Sequence, residues 1–531
     1  MNAPRPTRSA ALASFFVGAA SAALLVVRLM IPQPVGVADS YDGARLMCHF
    51  GIDMHLPNGA ARLHDYVTFR YDRMPGTSCA EHAIDQVTLR TFPYRSSQLL
   101  VLYTGRWFTR LLGFNGFLDL RAVGLVCCLL IGGALGLLFW VMTCRYRFRL
   151  LLCGLLLSVT ADSAFIDFAV SPLSEIAGTI GVLYTLPATV LLFQPGRRGL
   201  AGLVLLTVAG TFLVLAKEQD AVLVLPLAAL LLAVRAPIRH GRALSVAAVA
   251  TLVVCAFTLT AQGDPWARQI VKANFVTATL LATDTHPSAD LRELGAPAWL
   301  ARIRGMPMWC APSGTMMSPS YVRFLYGVSY QQIATLLVHH PGQIPRILSL
   351  VADGFYQPRP EYTLCPARTG GRTTMLLADY ARESGLRPRS VDHRFTPVIS
   401  ALAPLSGSGF VPLFVLWTVP PAACALAMLR HRRQKASESV VQLAAMSCYL
   451  VGIAVIQFVV CAFGDGIDTP KHLNLSIFTT AASWAVGTAA VALACAGTAA
   501  SAGFSGNANR LHPQSRNDVS GVSPTRVSPP R

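Results

Sequence analysis

Four consecutive polar residues, Lys217, Glu218, Gln219 and Asp220, interrupt an apolar stretch at residues 199–234. Three charges and an amide are costly inside a bilayer, so the cluster indicates a functional position at a membrane surface. A lysine there is a natural partner for a lipid phosphate. The simpler alternative is an internally neutralised turn between two short helices.

A second polar cluster precedes the last apolar run and contains Asp465, Asp468, Lys471 and His472. Lys471 and His472 open that run, and the free amides at the start of a helix also attract anions. A phosphate or pyrophosphate would fit there. The alternative is an outer turn whose lysine extends its ammonium into water.

Two carboxylates, Asp39 and Asp42, follow the first apolar run at a spacing of three. One such carboxylate can take a proton from an acceptor hydroxyl, while the other orients the acceptor or holds a cation. A helix cap or an Asx turn in a solvated loop would also explain the pair.

A fourth cluster surrounds the turn after a later apolar run and contains three acidic residues, Asp162, Asp167 and Glu175. At membrane depth these carboxylates would be costly without partners, so they predict the lining of a substrate cavity. They would face water if the apolar run ended earlier.

The composition identifies a helical membrane protein. The chain has 531 residues, of which 53% are hydrophobic and 13% are charged, and its mean hydropathy is +0.49. Soluble domains carry about 25% charged residues. Many apolar runs reach the roughly 20 residues that a membrane helix needs. We therefore predict an all-α integral membrane protein.

The basic residues concentrate in short loops, which sets the predicted orientation. Of the 26 acidic residues, only Glu438 and Asp518 fall on the predicted inner side. Arginines fill the inner loops, including Arg145, Arg198 and Arg433. This asymmetry explains the net charge of +18 by the positive-inside rule and by attraction to anionic lipid rather than by nucleic acid. Both termini are predicted to be cytoplasmic.

We predict about ten transmembrane helices with two large extracytoplasmic loops. Residues 1–9 form a cytoplasmic N-terminus, and residues 10–262 form an N-terminal membrane region that includes the first loop at 32–118. Residues 263–408 form the second loop, residues 409–500 form the C-terminal helices, and residues 501–531 form a disordered cytoplasmic tail.

The predicted spans are residues 10–31, 119–143, 150–170, 174–194, 199–216, 221–234, 243–262, 410–429, 440–463 and 474–497. Basic residues bound residues 150–193, so an even number of crossings is required, and we predict a break near Ser171 and Pro172. The first run is long for a signal peptide, so we predict an uncleaved span.

Three segments of the two loops carry helical patterns. Residues Ser97–Leu112 alternate large apolar residues with arginines, which predicts an interfacial helix on the bilayer; the alternative is a soluble helix packed on its own loop. In the second loop, Tyr330–Leu337 and Ile344–Phe355 are predicted helices.

Four of the thirteen cysteines lie in the predicted outer loops: Cys48, Cys79, Cys310 and Cys365. Four cysteines allow three pairings. If the outer compartment is oxidising, pairing within each loop gives Cys48–Cys79 and Cys310–Cys365. None of the cysteines has the close spacing of a zinc site, and no residue set requires a metal, although a divalent cation is possible.

All the polar clusters fall on the outer face of this topology, and we predict that they converge in one cavity. The inner halves of the helices look apolar, which favours an outward-opening site over a transport path. No nucleotide-binding, zinc-protease or nucleophile-elbow motif occurs in a sequence context that would support its function. A soluble nucleotide-using enzyme is therefore not expected.

The chain resembles the GT-C-type integral membrane glycosyltransferases that use polyprenyl-phosphate-linked sugars, and is most similar to bacterial members that decorate cell-surface glycans. The resemblance covers residues 10–497. It rests on the order and shared face of four motifs: Asp39 with Asp42; Asp162 with Ser171 and Glu175; Lys217 with Glu218 and Gln219; and Asp465 with Lys471 and His472.

The resemblance implies an inverting sugar transfer on the extracytoplasmic face of a bacterial plasma membrane. Its general base would be Asp42, or failing it Asp39, and Lys217, Lys471 and His472 would bind the donor phosphate. The other acidic and amide residues of the motifs would bind substrate: Asp162, Glu175, Glu218, Gln219 and Asp465. The expected partners are the polyprenyl-phosphate sugar, a glycan or glycolipid acceptor and membrane lipid, without nucleic acid.

Two other functions fit the same residues. A transporter or flippase for a lipid-linked or anionic glycan would use them as a pathway and would carry polar residues through the depth of several helices. A scaffold of an envelope assembly complex would tolerate substitution of the outer clusters.

Overall fold

The chain folds as an all-α integral membrane protein, as predicted. The computed structural model describes residues 8–37, 42–54, 66–75, 77–79, 95–234, 237–263, 265–307, 318–357, 387–388, 394–432, 438–464 and 469–508.

Eight described helices are long and apolar enough to cross a membrane. They are α1 (Arg8–Met30), α4 (Leu120–Val141), α7 (Glu175–Leu192), α8 (Arg197–Val214), α10 (Gly241–Ala261), α18 (Val411–Arg432), α19 (Glu438–Gly464) and α21 (Asn474–Ala508). Each coincides with a predicted span. The core of the bundle is formed by α4, α7, α19 and α21, which bury most of their membrane-spanning residues. Helices α1, α10 and α18 lie at the periphery, where most of their membrane-spanning residues are not buried by the protein.

The predicted span at residues 150–170 is bent rather than continuous. Helix α5 (Tyr146–Thr160) is followed by α6 (Ser163–Ile166) and a 3₁₀ turn (Asp167–Val170), with a bend of 63° between them. The physical cause is Asp162, whose carboxylate accepts from the Ala164 N–H and so starts a new helix. Counting this pair as one span gives nine candidates among the described residues.

The predicted sixth span is too short to pass as a single α-helix. The 3₁₀ helix Glu218–Leu223 continues directly into α9 (Val224–Ala233). At about 2.0 Å per residue for the first part and 1.5 Å for the second, the two together reach roughly 27 Å, close to the thickness of a hydrocarbon core. The combined segment is therefore long enough for the return crossing that the basic residues at both ends require.

Helix α1 packs closely on α4 through glycines. A Cβ built on Gly18 would lie 2.9 Å from the Gly132 carbonyl oxygen, and one built on Gly136 would lie 2.9 Å from the Ser14 carbonyl oxygen and 3.2 Å from the Gly18 Cα. Such close contacts between small residues are typical of helix pairs in membranes. Arg28 in the last turn of α1 donates to Ser163 Oγ at 2.9 Å and pairs with Asp167 at 3.4 Å. These contacts join α1 to α4 and to the segment after α5, so α1 is part of the helical bundle.

The first loop contains a short helix α2 (Asp42–Met47) and a three-stranded antiparallel sheet. The sheet order is β1 (Ile52–Met54), β3 (Arg70–Arg73), β4 (Leu118–Asp119), while β2 (Tyr66–Val67) pairs with β5 (Arg387–Pro388) of the second loop. A disulfide joins Cys48 to Cys79, as within-loop pairing requires. The other proposed pair, Cys310–Cys365, lies outside the described residues.

The helix predicted at Ser97–Leu112 is present as α3 (Gln98–Leu111). Its inner face buries Val101 and Leu102, and Gly105 lets the backbone approach Val123 of α4. Large apolar side chains on the opposite face remain exposed: Leu100, Tyr103, Trp107 and Leu111. A packed helix that leaves a continuous apolar stripe uncovered matches the interfacial interpretation.

Trp107 is expected to contact lipid directly. With brominated lipids, which quench tryptophan on contact, Trp107→Phe should reduce the quenchable fraction of the protein fluorescence. Trp299→Phe removes a tryptophan from the second loop, outside the candidate spans, and should leave the quenchable fraction unchanged or raise it. Equal behaviour of the two variants would contradict an interfacial α3.

The second loop folds into a helical region outside the candidate spans. It contains α11 (Pro265–Asn274), a π-helix (Phe275–Leu280), α12 (Leu281–Thr283), α13 (Pro287–Glu293), a 3₁₀ helix (Ala298–Ile303), α14 (Pro319–Gly327), α15 (Tyr330–His339), α16 (Gln343–Tyr356) and α17 (Pro397–Leu402). Helices α15 and α16 confirm the two helices that the apolar pattern predicted in this loop.

Two expectations from the sequence are corrected. The predicted disordered tail after Ser501 begins as helix, since α21 continues to Ala508; residues 509–531 lie outside the described residues. The inner halves of the helices are also not uniformly apolar. Helix α7 buries Thr185 and Thr189, and α19 buries Gln442 and Tyr449.

Candidate functional site

A cavity of about 320 Å³ lies at one end of the membrane helices. Both loops and five segments of the membrane region contribute to its wall: Arg45, Leu46, Leu173, Ser174, Glu175, Lys217, Glu218, Gln219, Thr260, Arg268, Val271, Tyr330, Val460, Gly464, Lys471 and His472. Six residues predicted from sequence therefore share one pocket: Glu175, Lys217, Glu218, Gln219, Lys471 and His472.

Lys217 is held at the pocket by an ion pair with Glu175. Helix α8 ends at Val214, and Lys217 adopts an extended backbone before the next 3₁₀ helix begins. This short extended segment turns the ammonium toward α7, where Lys217 Nζ lies 2.9 Å from Glu175 Oε1. Both side chains are largely buried, so each charge depends on the other for compensation.

Glu175 is the first residue of α7, where the helix dipole favours a negative charge. One of its oxygens binds Lys217, whereas Oε2 is buried and has no hydrogen-bond partner among the described residues. A buried carboxylate oxygen without a donor is costly. Glu175 as a residue also lines the pocket, so its unpaired oxygen lies close to the pocket wall.

Gln219 holds His472 through both ends of its amide. Gln219 Nε2 donates to the His472 carbonyl at 3.0 Å, and Gln219 Oε1 lies 2.8 Å from His472 Nδ1. Lys217 Nζ is also 3.2 Å from the same Nδ1. A ring nitrogen cannot donate to Gln219 and accept from Lys217 at once. We assign the proton to Nδ1, donating to Gln219 over the shorter distance, which leaves Glu175 as the partner of Lys217.

Lys471 and His472 form the end of the short helix α20 (Thr469–His472), directly before the final membrane helix. Both are largely buried yet line the pocket. The cluster that the sequence placed at the start of the last span therefore meets the Lys217 cluster in space, although about 250 residues separate them.

The predicted acidic pair lies at the edge of the described structure. Asp42 is the first residue of α2, and Arg45 and Leu46 of the same helix line the pocket. Gly36 packs against the Val170 carbonyl, where a Cβ would collide with the backbone. This contact fixes the chain shortly before the pair. Asp39, like Asp465 of the last cluster, lies outside the described residues.

Asp162 is fully buried away from the pocket lining and serves the fold. Its carboxylate accepts from the Ala164 N–H at 2.9 Å, from Val398 at 2.6 Å and from Ile399 at 3.3 Å. The last two amides belong to the start of α17. Asp162 therefore joins the bend after α5 to the end of the second loop.

Asp162→Ala is expected to lower the free energy of unfolding by about 3 kcal/mol, because three buried amides lose their acceptor. Asp162→Asn keeps one acceptor oxygen and should cost less. The apparent melting temperature in lipid nanodiscs checks both variants. A normal melting temperature with lost ligand binding would instead assign Asp162 to the site.

Directly under the pocket, Asp220 and Gln457 form a buried pair that the sequence motifs did not reveal. Gln457 Nε2 donates to Asp220 Oδ1 at 2.9 Å. The contact ties the 3₁₀ helix after Lys217 to the middle of α19. Asp220 belongs to the polar cluster noted first, whereas Gln457 gave no signal because a single amide in an apolar helix has no recognisable pattern.

Arg45, Arg268 and Tyr330 are pocket residues that sequence reasoning missed. Arg268 donates to the Thr260 and Gly263 carbonyls. A Cβ on Gly263 would lie 2.8 Å from Glu218 Oε1 and 2.9 Å from Arg268 Nη2, so this glycine allows the acid and the arginine to approach. All three missed residues lie in loops, where exposed polar and aromatic residues are common.

The described part of the chain holds no group of three or more His, Cys, Asp or Glu residues placed to bind a metal.

The fold and the pocket define a multi-pass membrane protein whose polar site lies at one end of its helical bundle. The chain belongs to the YfdI N-terminal transmembrane domain family, whose model matches residues 5–501. This is a GT-C-like family of membrane glycosyltransferases. No curated protein matches the chain.

Proposed function

We propose that this protein is a glycosyltransferase of the GT-C type. It moves a sugar from a polyprenyl-phosphate donor to a cell-envelope glycan or glycolipid acceptor on the extracytoplasmic face. The observation that carries the proposal is the pocket itself. It gathers lysine, arginine and histidine side chains from separate segments at the outer ends of apolar helices, where a lipid-linked phosphate would lie.

The donor phosphate is assigned to Lys217, Lys471 and His472. The Lys217 ammonium has three donors, and Glu175 takes one of them. Gln219 fixes the His472 ring, so the histidine is oriented before the donor arrives. Preorganised cations lower the reaction barrier, because negative charge on the phosphate grows as the sugar leaves.

In the proposed reaction the hydroxyl oxygen of the acceptor attacks the anomeric carbon from the face opposite the phosphate. The hydroxyl proton passes to a carboxylate, assigned to Asp42 or failing it Asp39. The bond between the anomeric carbon and the phosphate oxygen breaks, and its electron pair remains with the polyprenyl phosphate. The sugar is thus transferred with inverted configuration.

The remaining pocket acids are assigned to the sugar. Glu175 and Glu218 line the pocket, and we assign their carboxylates to the hydroxyl groups of the sugar. Gln219 orients His472 instead of binding the sugar. Asp162 stabilises the fold by binding backbone amides. Asp465 keeps its predicted role as a substrate ligand.

The basic inner loops support a bacterial plasma membrane location with both termini in the cytoplasm and the pocket outside. Under this orientation the lipid donor reaches the pocket from the bilayer, and the acceptor reaches it from the aqueous side.

A transporter for a lipid-linked glycan is the second candidate, favoured by the buried polar side chains of α7 and α19. Gln442 is buried in α19, and neither atom of its amide has a hydrogen-bond partner among the described residues. Polar groups at such depth are costly and often mark a pathway. The pocket wall, in contrast, is built from the outer ends of these helices.

An experiment with sealed proteoliposomes separates the two candidates. Radiolabelled polyprenyl-phosphate sugar is supplied in one leaflet, and envelope extract is added outside as acceptor. A transferase incorporates label into the acceptor when donor and pocket share a face. Movement of intact donor between leaflets, without incorporation, would support the transporter and overturn the proposal.

A further inference from the structure

Tyr330 is the residue through which the second loop presents an aromatic ring to the pocket. It begins α15, outside the candidate membrane spans. Arg268 and Val271 of α11 line the same cavity. This part of the wall therefore belongs to helices outside the candidate membrane spans, whereas Lys217 and Glu175 belong to membrane helices or their turns.

The ring is exposed although its backbone is fixed. Tyr330 retains 51% of its accessible surface. Ser329 caps α15, accepting from the Gln332 N–H at 3.1 Å, while Gln332 Oε1 accepts from the Ser329 N–H at 2.8 Å. Such a capping box fixes the first turn of a helix. The pocket therefore contains a ring that is positioned before any ligand binds.

A buried lysine holds the corner between α14 and α15. Lys272 is only 7% exposed, donates to the Val328 carbonyl at 2.7 Å, and lies 5.7 Å from the centre of the Tyr330 ring. An ammonium at this distance from a ring is attracted to its face. Burial lowers the pKa of Lys272. The lysine thus anchors the corner that carries the ring, instead of binding a ligand directly.

A fixed, half-exposed tyrosine suits a sugar. The flat ring contacts the apolar C–H face of a pyranose, and the hydroxyl group serves its polar edge. Tyrosine loses little conformational entropy on binding, which raises the affinity of a site that is already positioned. A prenyl chain is not the expected occupant, because Tyr330 lies on an extramembrane helix.

We propose that Tyr330 is the stacking residue of the acceptor subsite, with Lys272 as its positioning residue. This inference rests on the proposed glycosyltransferase function and assigns the side from which the acceptor glycan enters. The acceptor sugar lies on the Tyr330 ring and presents its hydroxyl toward the pocket acids, while the donor phosphate lies among the cations of the membrane segments.

The kinetic test measures transfer with envelope extract as acceptor. Tyr330→Ala is expected to raise the apparent acceptor KM roughly tenfold, with the donor KM unchanged, and Tyr330→Phe should restore most of the affinity because the ring remains. Tyr326→Ala is the matched control. Tyr326 is similarly exposed, at 58%, and lies on the preceding helix without lining the pocket. An unchanged acceptor KM in Tyr330→Ala would overturn the inference.

A second readout does not depend on turnover. The photoreactive residue p-benzoylphenylalanine is placed at position 330 or at position 326 in the full-length chain, and adducts formed in intact cells are analysed for carbohydrate. A glycan adduct at 330 and not at 326 is expected. Equal labelling, or lipid alone at 330, would contradict the subsite. If the wild type transfers no sugar yet 330 captures glycan, the proposed function fails while the glycan site stands.

Discussion

Asp42→Asn is expected to lower the rate of sugar transfer by about 10³-fold, within the range that general bases contribute. Asparagine has nearly the same shape as aspartate but cannot take the proton of the acceptor hydroxyl. Asp42 begins α2, one turn before the pocket residue Arg45. The donor affinity should therefore change little, since the phosphate is bound by other segments. Rates under saturating donor, with donor binding measured separately, provide the test.

Two further variants make this prediction specific. Asp39→Asn tests the other member of the pair, and loss of transfer in that variant alone would move the role of base to Asp39. Asp72→Asn is the control, because Asp72 lies in the same loop on β3 and pairs with Arg70. Full activity in both Asp39→Asn and Asp42→Asn would contradict a base in this pair.

Lys217→Met is expected to weaken donor binding on the order of 100-fold, the range observed when one charge of a desolvated pair is removed. The same change leaves Glu175 buried without its cation, which should destabilise the fold by about 3 kcal/mol or more. Reduced activity alone would therefore not distinguish a binding role from misfolding.

The double variant Lys217→Met with Glu175→Gln separates these effects. It removes both charges of the pair, so the thermal stability should return toward that of the wild type. Donor affinity should stay low because the phosphate still lacks its lysine. Recovery of donor binding together with stability would show that Lys217 only neutralises Glu175 and would remove it from the phosphate site.

Hydropathy and charge predicted most of the fold because they report the cost of burying each residue in lipid. The long spans and the surface helix α3 appear where apolar runs and amphipathic spacing placed them. The bend before α6 was not predicted, although Asp162 starts α6 through a local bond to Ala164; the same carboxylate also binds α17 amides more than 230 residues away. A sequence pattern carries local spacing and does not carry such a contact.

In the candidate site, too, local patterns were predictable from the sequence and contacts between distant segments were not. The polar cluster at Lys217 and the cluster at His472 were each visible because charges are rare in apolar segments. Their contact through Gln219 was expected only from a shared face, and the structure brings them together. Gln457 and Tyr330 were missed, because an amide in an apolar helix and a tyrosine in a loop are common where no site exists.

The measurement that most directly tests the central claim is sugar transfer by the purified chain in lipid nanodiscs. A nanodisc has no enclosed compartment, so transport cannot produce a labelled product. A panel of radiolabelled polyprenyl-phosphate sugars serves as donor and envelope extract as acceptor, and the product linkage is analysed. The account predicts a labelled acceptor whose anomeric configuration is inverted relative to the donor. Tight donor binding without any labelled acceptor would contradict it.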